Sequence, residues 1–398
     1  TDVPYIEMSE EEFEEYKSAF IRPFNLQTGP LYRFEIVKTE KKTYLLWDIH
    51  HLVFDGFSSG VLLRDIGRAY SGEKLEPENY TYFDYAQNEE KEKDSEEYRE
   101  AGEYFEQMFK SFESVSEIPG NKAGNIEEGI LGEVFRSIPK NPVDNFCKEA
   151  QVTPSSYFLA ATFYTVSRFA NSRQVYLSTI DSGRSSVKTV SCLGMFVHTL
   201  PLFMNFEENL SVGELVKRSN EVMRNSIKNE GYPFAEIATK YGYHTDIMYE
   251  CQLGVTNAEG SLGGVPYESV RMKLEAPKFK ITIAIYENDS DYVLSVRYND
   301  ALYTEEYMNV LLDSLTTVSE RMLSDKDAMV NRISLMSAKE KERVEGFGQI
   351  KKCNLPYKLL HKAFEAAADQ YSDREALVAY DRTLTFRELN EMSNRIAW

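Results

Sequence analysis

Residues 49–58 read IHHLVFDGFS, and this stretch says more about the chain than any other of its length. It holds two of the five histidines, His50 and His51, and Asp55 and Gly56 follow four and five residues after the second. Histidine has an ordinary pKa of about 6.5, so it takes or gives a proton near neutrality. A carboxylate and a glycine beside such a base are typical of a reaction centre.

The flanking segments predict a strand, a tight loop and a helix. Residues 31–38 and 43–50 are strand-like and are joined by a polar turn. Residues 58–70 place their apolar side chains on one helical face, and Gly72 would end that helix. The His-His-x-x-x-Asp-Gly pattern therefore lies where a strand passes into a helix.

The individual residues of the pattern have distinct expected roles. Neighbouring side chains on a strand point to opposite faces, so one of His50 and His51 should face the reaction while the other packs. Asp55 stands just before the helix, where it would cap the N-terminus or bind an arginine. Gly56 lets the backbone turn tightly towards a ligand, and the helix N-terminus favours developing negative charge. On spacing alone, two core histidines and a capping aspartate explain the pattern equally well.

A metal site is a further interpretation of the same residues. His51 and Asp55 are four residues apart, but the glycine and the strand context break a shared helical face. A third ligand would have to come from His198, His244 or a distant carboxylate. The spacing therefore disfavours a metal.

The composition is that of a folded protein of two or three domains. The chain has 398 residues, of which 42% are hydrophobic and 27% charged, which suffices for a sizeable core. Its formal net charge of -19 argues against nucleic acid and anionic membranes as partners. The four cysteines are isolated at 147, 192, 251 and 353, and neither a signal segment nor an apolar run of ~20 residues occurs. We therefore expect a cytoplasmic protein.

Strands and helices alternate along the chain, which indicates a mixed α/β (α+β) fold with antiparallel hairpins. Capping boxes predict helix starts at Ser9, Ser211 and Thr385. Further helices are expected where a capping residue precedes a proline, at Asn141-Pro142 and Thr153-Pro154. Residues 74–87 are expected to be irregular.

Further motifs in a fixed order give the histidine stretch its meaning. Residues 22–31 contain RPFNL and GPL, residues 82–86 read YFDYA, SGR occupies 182–184, LGMFVHTLP occupies 193–201, and YPF occupies 232–234. Together with HHLVFDG, these resemble the ordered motifs of the condensation domains of nonribosomal peptide synthetases. The resemblance extends from residue 1 to about residue 323.

The resemblance also predicts a domain organisation. It assigns 1–75 to the C-terminal part of an incomplete N-terminal lobe, 76–110 to a crossover segment, 111–323 to a C-terminal lobe, 324–354 to a linker, and 355–398 to the start of an adenylation domain. That last assignment rests on LHKAF at 360–364 and LTFRELN at 384–390. No Gly-rich phosphate loop accompanies them, so the chain should not activate amino acids. The incomplete lobe leaves open whether the chain alone performs the reaction.

The resemblance implies a two-lobed, chloramphenicol-acetyltransferase-like fold with a central tunnel. Phosphopantetheine arms of upstream and downstream peptidyl carrier domains would enter the tunnel from its two ends. An acceptor amine would attack a donor thioester, forming an amide and releasing a thiol. The chain would thus be an acyltransferase-type enzyme with no cofactor or metal of its own, adjacent to an adenylation domain and without nucleic-acid or membrane partners.

The resemblance further implies roles for single residues. His51 would orient the amine or accept its proton, while the supporting residues would be His50, Asp55, Gly56 and Arg184. Asp55 would pair with Arg184 across the lobes, whereas the alternative for Arg184 is a surface arginine after a turn. Candidate tunnel-lining residues are Ser58, Met195 and His198. His198 stands where the family usually carries asparagine, and residues 243–253 lack the family's Arg-Asp-x-Ser-Arg motif.

Other functions stay open on the sequence. A non-catalytic carrier-docking module would fit, as would an epimerisation domain, which shares the histidine motif. The adenylation-like tail argues against epimerisation, because such domains usually end a module. Plant-type acyltransferases share His-x-x-x-Asp but carry Asp-Phe-Gly-Trp-Gly, which this sequence lacks. The motifs do not specify the amino acids joined, the donor stereochemistry, the product or the oligomeric state.

Overall fold

The structure, a computed structural model, describes residues 3–112, 116–206, 209–244, 246–254, 259–270, 277–348 and 356–397. Residues 1–337 form one compact unit and residues 338–398 form a second. The first is called the large unit below and the second the small unit. Among the described helices, none is both long enough and apolar enough to cross a lipid bilayer.

A three-stranded sheet in the large unit carries the histidine stretch. Its strands, in spatial order, are β1 (Tyr5–Glu7), β2 (Tyr32–Lys38) and β3 (Thr43–Ile49). β2 and β3 form the predicted antiparallel hairpin, and β1 is parallel to β2. The sheet therefore ends with β3 at its edge, directly before His50.

Two helices belong to this part of the large unit, α1 (Glu10–Phe20) and α2 (Gly56–Tyr70). α1 begins with the predicted capping box of Ser9 and Glu12. Its buried Phe13 stacks on Tyr44 of β3, with 4.0 Å between the ring centroids. α2 begins two residues earlier than predicted, immediately after Asp55, because that side chain caps it.

Two more helices, α3 (Tyr82–Glu92) and α4 (Glu96–Lys110), lead into the rest of the large unit. Residues 74–81 are irregular as predicted, whereas α3 shows that the expectation was wrong for residues 82–87. It starts with a capping box of Thr81 and Asp84, and none of its residues is fully buried. It therefore lacks the apolar stripe by which a sequence reveals a helix. α4 buries Phe105 and Phe109.

The second sheet has six strands in the order β4-β11-β10-β7-β5-β6. They are β4 (Leu131–Pro139), β5 (Gln174–Asp181), β6 (His198–Asn205), β7 (Ile247–Gln252), β10 (Ile281–Glu287) and β11 (Asp291–Asn299). A separate hairpin consists of β8 (Glu259–Leu262) and β9 (Val265–Glu268). β7 is parallel to β5 and β10, and the other neighbours are antiparallel. The hairpin reaches the first sheet, because Glu268 forms an ion pair with Lys42.

Helices cover one face of this sheet and form the main core with it. They are α5 (Lys140–Ala150), α6 (Pro154–Phe169), α7 (Val212–Lys228) and α9 (Glu305–Met322), with α8 (Phe234–Tyr241) near the opposite face. α6 starts as predicted, with Thr153 as its cap, and all residues from 156 to 167 are buried. α5 starts at Lys140, two residues before Pro142, because β4 runs directly into it; Asn141 is therefore not the predicted cap.

The small unit contains α10 (Ala338–Phe347), α11 (Leu360–Gln370), β12 (Glu375–Val378), β13 (Thr383–Thr385) and α12 (Phe386–Ala397). β12 and β13 form an antiparallel hairpin. Thr385 and Glu388 bond each other as the predicted capping box at the start of α12. The helix start predicted at Thr385 is therefore confirmed.

Candidate active site

The histidine stretch forms a short loop between β3 and α2. The backbone N–H of His50 donates to the carbonyl of Leu31 at 2.9 Å, which closes the β2–β3 hairpin. Its ring Nδ1 accepts a hydrogen bond from the N–H of Leu52 at 3.1 Å, and its ring lies edge-on to Phe24. Both the backbone N–H and the ring of His50 therefore form local hydrogen bonds. Since β3 ends at Ile49, these bonds, and not strand alternation, distinguish the two histidines.

His51 is exposed and has its ring fixed by one hydrogen bond. Nδ1 lies 2.8 Å from the carbonyl oxygen of Phe54. A carbonyl oxygen can only accept, so Nδ1 must carry the proton. The neutral ring then has an unprotonated Nε2, which is the form a general base needs.

Asp55 performs both of the roles expected from its position. Its carboxylate accepts from the Ser58 N–H at 2.7 Å, which caps α2. It also accepts from Arg184 Nη2 at 3.0 and 3.1 Å and from the Phe196 N–H at 3.0 Å. The side chain is completely buried, so these donors replace the water that a carboxylate otherwise requires.

Arg184 is buried, which rules out the alternative of a surface arginine after a turn. Its side chain is 2% exposed. Nη1 donates to the carbonyls of Thr189 and Cys192 at 2.6 and 2.8 Å. The guanidinium lies 4.7 Å from the ring centroid of Phe57 and 4.3 Å from that of Phe196. It therefore joins the six-stranded sheet region to the histidine loop through hydrogen bonds and cation–π contacts.

Ser58 and Gly194 complete the contact around this ion pair. The Ser58 hydroxyl donates to the Gly194 carbonyl at 2.9 Å and accepts from the Gly194 N–H and from Arg184. Ser58 has no exposed surface, so the structure places this candidate tunnel-lining residue inside the packed contact. A side chain at Gly194 would lie 2.6 Å from the Tyr82 ring, which explains the glycine.

The surroundings of Gly183, Gly56 and Met195 differ in how much space they leave. Gly183 has a φ of +62°, and a Cβ there would lie 1.9 Å from the carbonyl oxygen of Phe196. Gly56 makes no tight turn: it is the first residue of α2, and a Cβ there would meet nothing within 4 Å. The space in front of Gly56 is therefore open. Met195 is half-buried in the segment that approaches Asp55.

His198 lies in a second group of polar residues that the sequence did not reveal as a group. Nε2 is 3.1 Å from the Tyr85 hydroxyl and 3.7 Å from Glu89, and Nδ1 is 3.7 Å from Glu230. Asp181 is the residue opposite His198 in the β5–β6 pairing. Burial alone would lower the pKa of His198, but the carboxylates of Glu230 and Glu89, each 3.7 Å away, outweigh it and raise the pKa to about 9. We call these five residues the His198 cluster.

The described residues contain no group of three or more His, Cys, Asp or Glu placed to hold a metal ion. Cys147, Cys192 and Cys251 are unpaired, and Cys353 lies outside the described residues. His244 is exposed in the segment after α8. The structure therefore does not bring His198 or His244 to His51 and Asp55 as metal ligands.

Comparison with known proteins identifies the family. Residues 1–344 match the family model described as "Condensation domain". The chain belongs to the condensation-domain family. Peptide-bond formation in nonribosomal peptide synthetases is the function of that family, and the predicted acetyltransferase-like fold of these domains is confirmed.

The relatives are much longer synthetases. Bacitracin synthase 1 of Bacillus licheniformis is 27% identical over 414 residues, which cover 100% of this chain and 8% of that protein. The chain spans about a tenth of the length of the curated relatives that it matches. A four-domain nonribosomal peptide synthetase bound to AMP and glycine superimposes with a TM-score of 0.78 at 17% identity, over 98% of this chain and 32% of that one. The X-domain in complex with OxyB from teicoplanin biosynthesis superimposes with a TM-score of 0.72 at 17% identity, over 84% of this chain and 80% of that one.

Proposed function

We propose that this chain forms an amide between a carrier-bound donor thioester and the amine of a carrier-bound acceptor, with His51 as its catalytic residue. The observation that carries the proposal is the bond between His51 Nδ1 and the Phe54 carbonyl. That bond fixes the ring of this exposed side chain and makes Nε2 the nitrogen that carries no proton when the ring is neutral. The buried Asp55–Arg184 pair supports the loop from behind.

The reaction forms one C–N bond and breaks one C–S bond. The acceptor amine attacks the thioester carbonyl carbon, so a C–N bond forms and the carbonyl oxygen becomes an oxyanion. The proton of the resulting ammonium passes to His51 Nε2. The intermediate collapses, the C–S bond breaks, and the departing thiolate takes the proton from the imidazolium. The products are an amide and a thiol.

Positioning should contribute more than base strength, because a thioester is already reactive towards amines. The fixed ring of His51 would orient the amine towards the carbonyl carbon. The N-terminus of α2 lies in the same loop, and its partial positive charge favours the developing oxyanion. The open space at Gly56 would admit the reacting groups.

The substrates would arrive on phosphopantetheine arms of upstream and downstream peptidyl carrier domains, which meet in a tunnel between the lobes. Residues 355–398 would begin an adenylation domain, which LHKAF at 360–364 and LTFRELN at 384–390 support. Within this range the described elements are two helices and a hairpin. Carrier domains and an adenylation domain are therefore the proposed partners.

The decisive variant is His51→Ala in a complete synthetase module, with carrier domains loaded with a panel of aminoacyl thioesters. Loss of a general base and orienting group should lower amide formation by ~10²- to 10⁴-fold. The fold should persist, because His51 is exposed. Mass spectrometry of the acceptor carrier measures the product. The matched control is His244→Ala, at an exposed histidine, which should leave the rate unchanged. Near-normal product from His51→Ala would exclude this role.

A second candidate is a non-catalytic docking module. The observation that favours it is the likeness to the X-domain, a domain solved in complex with OxyB. A docking module would retain carrier domains on a column while the wild-type module formed no amide. His51→Ala would then change neither measurement. The amide assay and the retention assay therefore separate the two functions.

A further inference from the structure

The His198 cluster joins four separate segments of the large unit. Tyr85 and Glu89 come from α3, His198 begins β6, Asp181 ends β5, and Glu230 follows α7. Polar atoms of Tyr85, Glu89 and Glu230 lie within 3.7 Å of the imidazole ring, whose side chain is 21% exposed. Asp181 adds a third carboxyl group as the cross-strand partner of His198. A cation at this point binds α3 to the end of the six-stranded sheet.

α3 in turn contacts the buried ion pair through aromatic rings. The rings of Tyr82 and Tyr85 lie 5.2 and 4.8 Å from that of Phe196, measured between centroids. The Phe196 N–H donates to Asp55, and its ring covers the guanidinium of Arg184. The same helix therefore contacts His198 at one point and the support of the histidine loop at another.

We propose that His198 is a positioning residue of the amide-forming site, acting through α3 and Phe196 on the buried ion pair. Its charge holds Glu89, and thereby α3, in place. Tyr82 and Tyr85 then keep Phe196 packed against the Asp55–Arg184 ion pair. That ion pair holds the loop of His51 in position. This inference rests on the proposed function for its catalytic consequence, whereas the contacts themselves do not depend on it.

The charges around the ring support a role for the protonated form. The neighbouring His198 lowers the pKa of Glu230 and the pKa of Glu89, and it outweighs the effect of burial on each. Asp181 has a raised pKa because of burial and of the neighbouring Glu230. Lys93, at the end of α3, is a further cation near Glu89. With the pKa of His198 at about 9, the ring is an imidazolium at neutral pH.

An asparagine at this position would bond to its neighbours without a charge. His198→Asn is therefore the informative variant, because it keeps a polar side chain and removes the cation. In the complete module with loaded carrier domains, we expect kcat at pH 7 to fall 10- to 100-fold while KM changes little, since a displaced support misaligns the base. His244→Asn is the matched control at an exposed histidine and should leave both constants unchanged.

The pH profile gives the readout that a merely structural role would not move. The ratio of wild-type kcat to His198→Asn kcat should be constant below pH 8. It should fall towards 1 as the pH rises through about 9, because the wild type then loses the same charge. If the ratio of the two kcat values is independent of pH, the proposal is overturned, even when His198→Asn has the lower kcat.

Two measurements on the full chain test the inference without any amide formation. The imidazole pKa of His198, followed by NMR and assigned by its absence in His198→Asn, should lie near 9. The protection factors of the α3 amides, which are taken relative to the intrinsic exchange rate at each pH, should fall in that variant and in the wild type above pH 9. A His198 pKa near 6.5, or unchanged exchange, overturns the positioning role even if the module is active. A wild-type module that forms no amide refutes the proposed function instead.

A second variant keeps the test meaningful if His198→Asn does not fold. Tyr85→Phe removes the hydroxyl that lies 3.1 Å from Nε2 and 3.0 Å from Glu89, while the ring that packs on Phe196 stays. We expect a smaller loss of kcat with the same pH dependence. An unchanged kcat together with unchanged α3 exchange would contradict the proposed coupling.

Discussion

Removing either partner of the Asp55–Arg184 ion pair should destabilise the protein strongly, whereas removing both should cost less than the sum. The side chains are 0% and 2% exposed, so the loss of one leaves the other as an uncompensated buried charge. Each single substitution to alanine should lower the free energy of unfolding by about 3–5 kcal/mol. Asp55→Ala also removes the cap of α2, which adds ~1 kcal/mol.

The double variant contains no buried charge at this place. The two single losses should therefore exceed the double loss by roughly 2 kcal/mol. Urea unfolding of the 398-residue chain measures each value. Trp47 and Trp398 are its two tryptophans, so a Trp398→Phe background makes the fluorescence of Trp47, on β3, the reporter of the first sheet.

The matched control is the ion pair of Arg136 and Asp313, whose side chains are 37% and 32% exposed. The same cycle there should give a coupling of about 1 kcal/mol or less, because water screens an exposed pair. Additive single losses at Asp55 and Arg184, or a loss below about 1 kcal/mol for either, would refute the reasoning that a buried charge is left behind.

Two further outcomes follow from the open glycine and from the His198 cluster. Gly56→Ala should leave the free energy of unfolding unchanged or raise it by up to ~1 kcal/mol, yet lower amide formation by filling the space in front of α2. Unaltered product yield would show that substrates do not use that space. The difference in the free energy of unfolding between wild type and His198→Asn should have its largest value below pH 6.5 and vanish as the pH rises through about 9. Its size is on the order of 3 kcal/mol, and a pH-independent difference in urea unfolding would contradict it.

Local signals in the sequence predicted most of the elements near the site. Capping boxes at Ser9, Ser211 and Thr385 each mark a helix start in the structure. They succeed because the residues that satisfy the first N–H groups lie three positions apart. The strand, loop and helix around His51 were predicted from the apolar patterning of residues 43–50 and 58–70.

The parts that were missed depend on contacts between distant segments. α3 has no buried residues, so its sequence shows no apolar stripe with helical periodicity. Glu89, Asp181 and Glu230 come from three segments and show no spacing that points to His198. The pairing of Asp55 with Arg184 was expected only from the family resemblance. Likewise, the burial of Ser58 follows from Gly194, which no local pattern connects to it.

The separation of Asp55 and Arg184 in the chain has a consequence for synthesis on the ribosome. They are 129 positions apart, so at about 5–20 residues per second the arginine is added roughly 6–25 s after the aspartate. During that interval the nascent chain already contains the His51 loop and the edge strand β3, but not the guanidinium that holds them. The support of the loop is therefore completed only after a distant part of the large unit has been made.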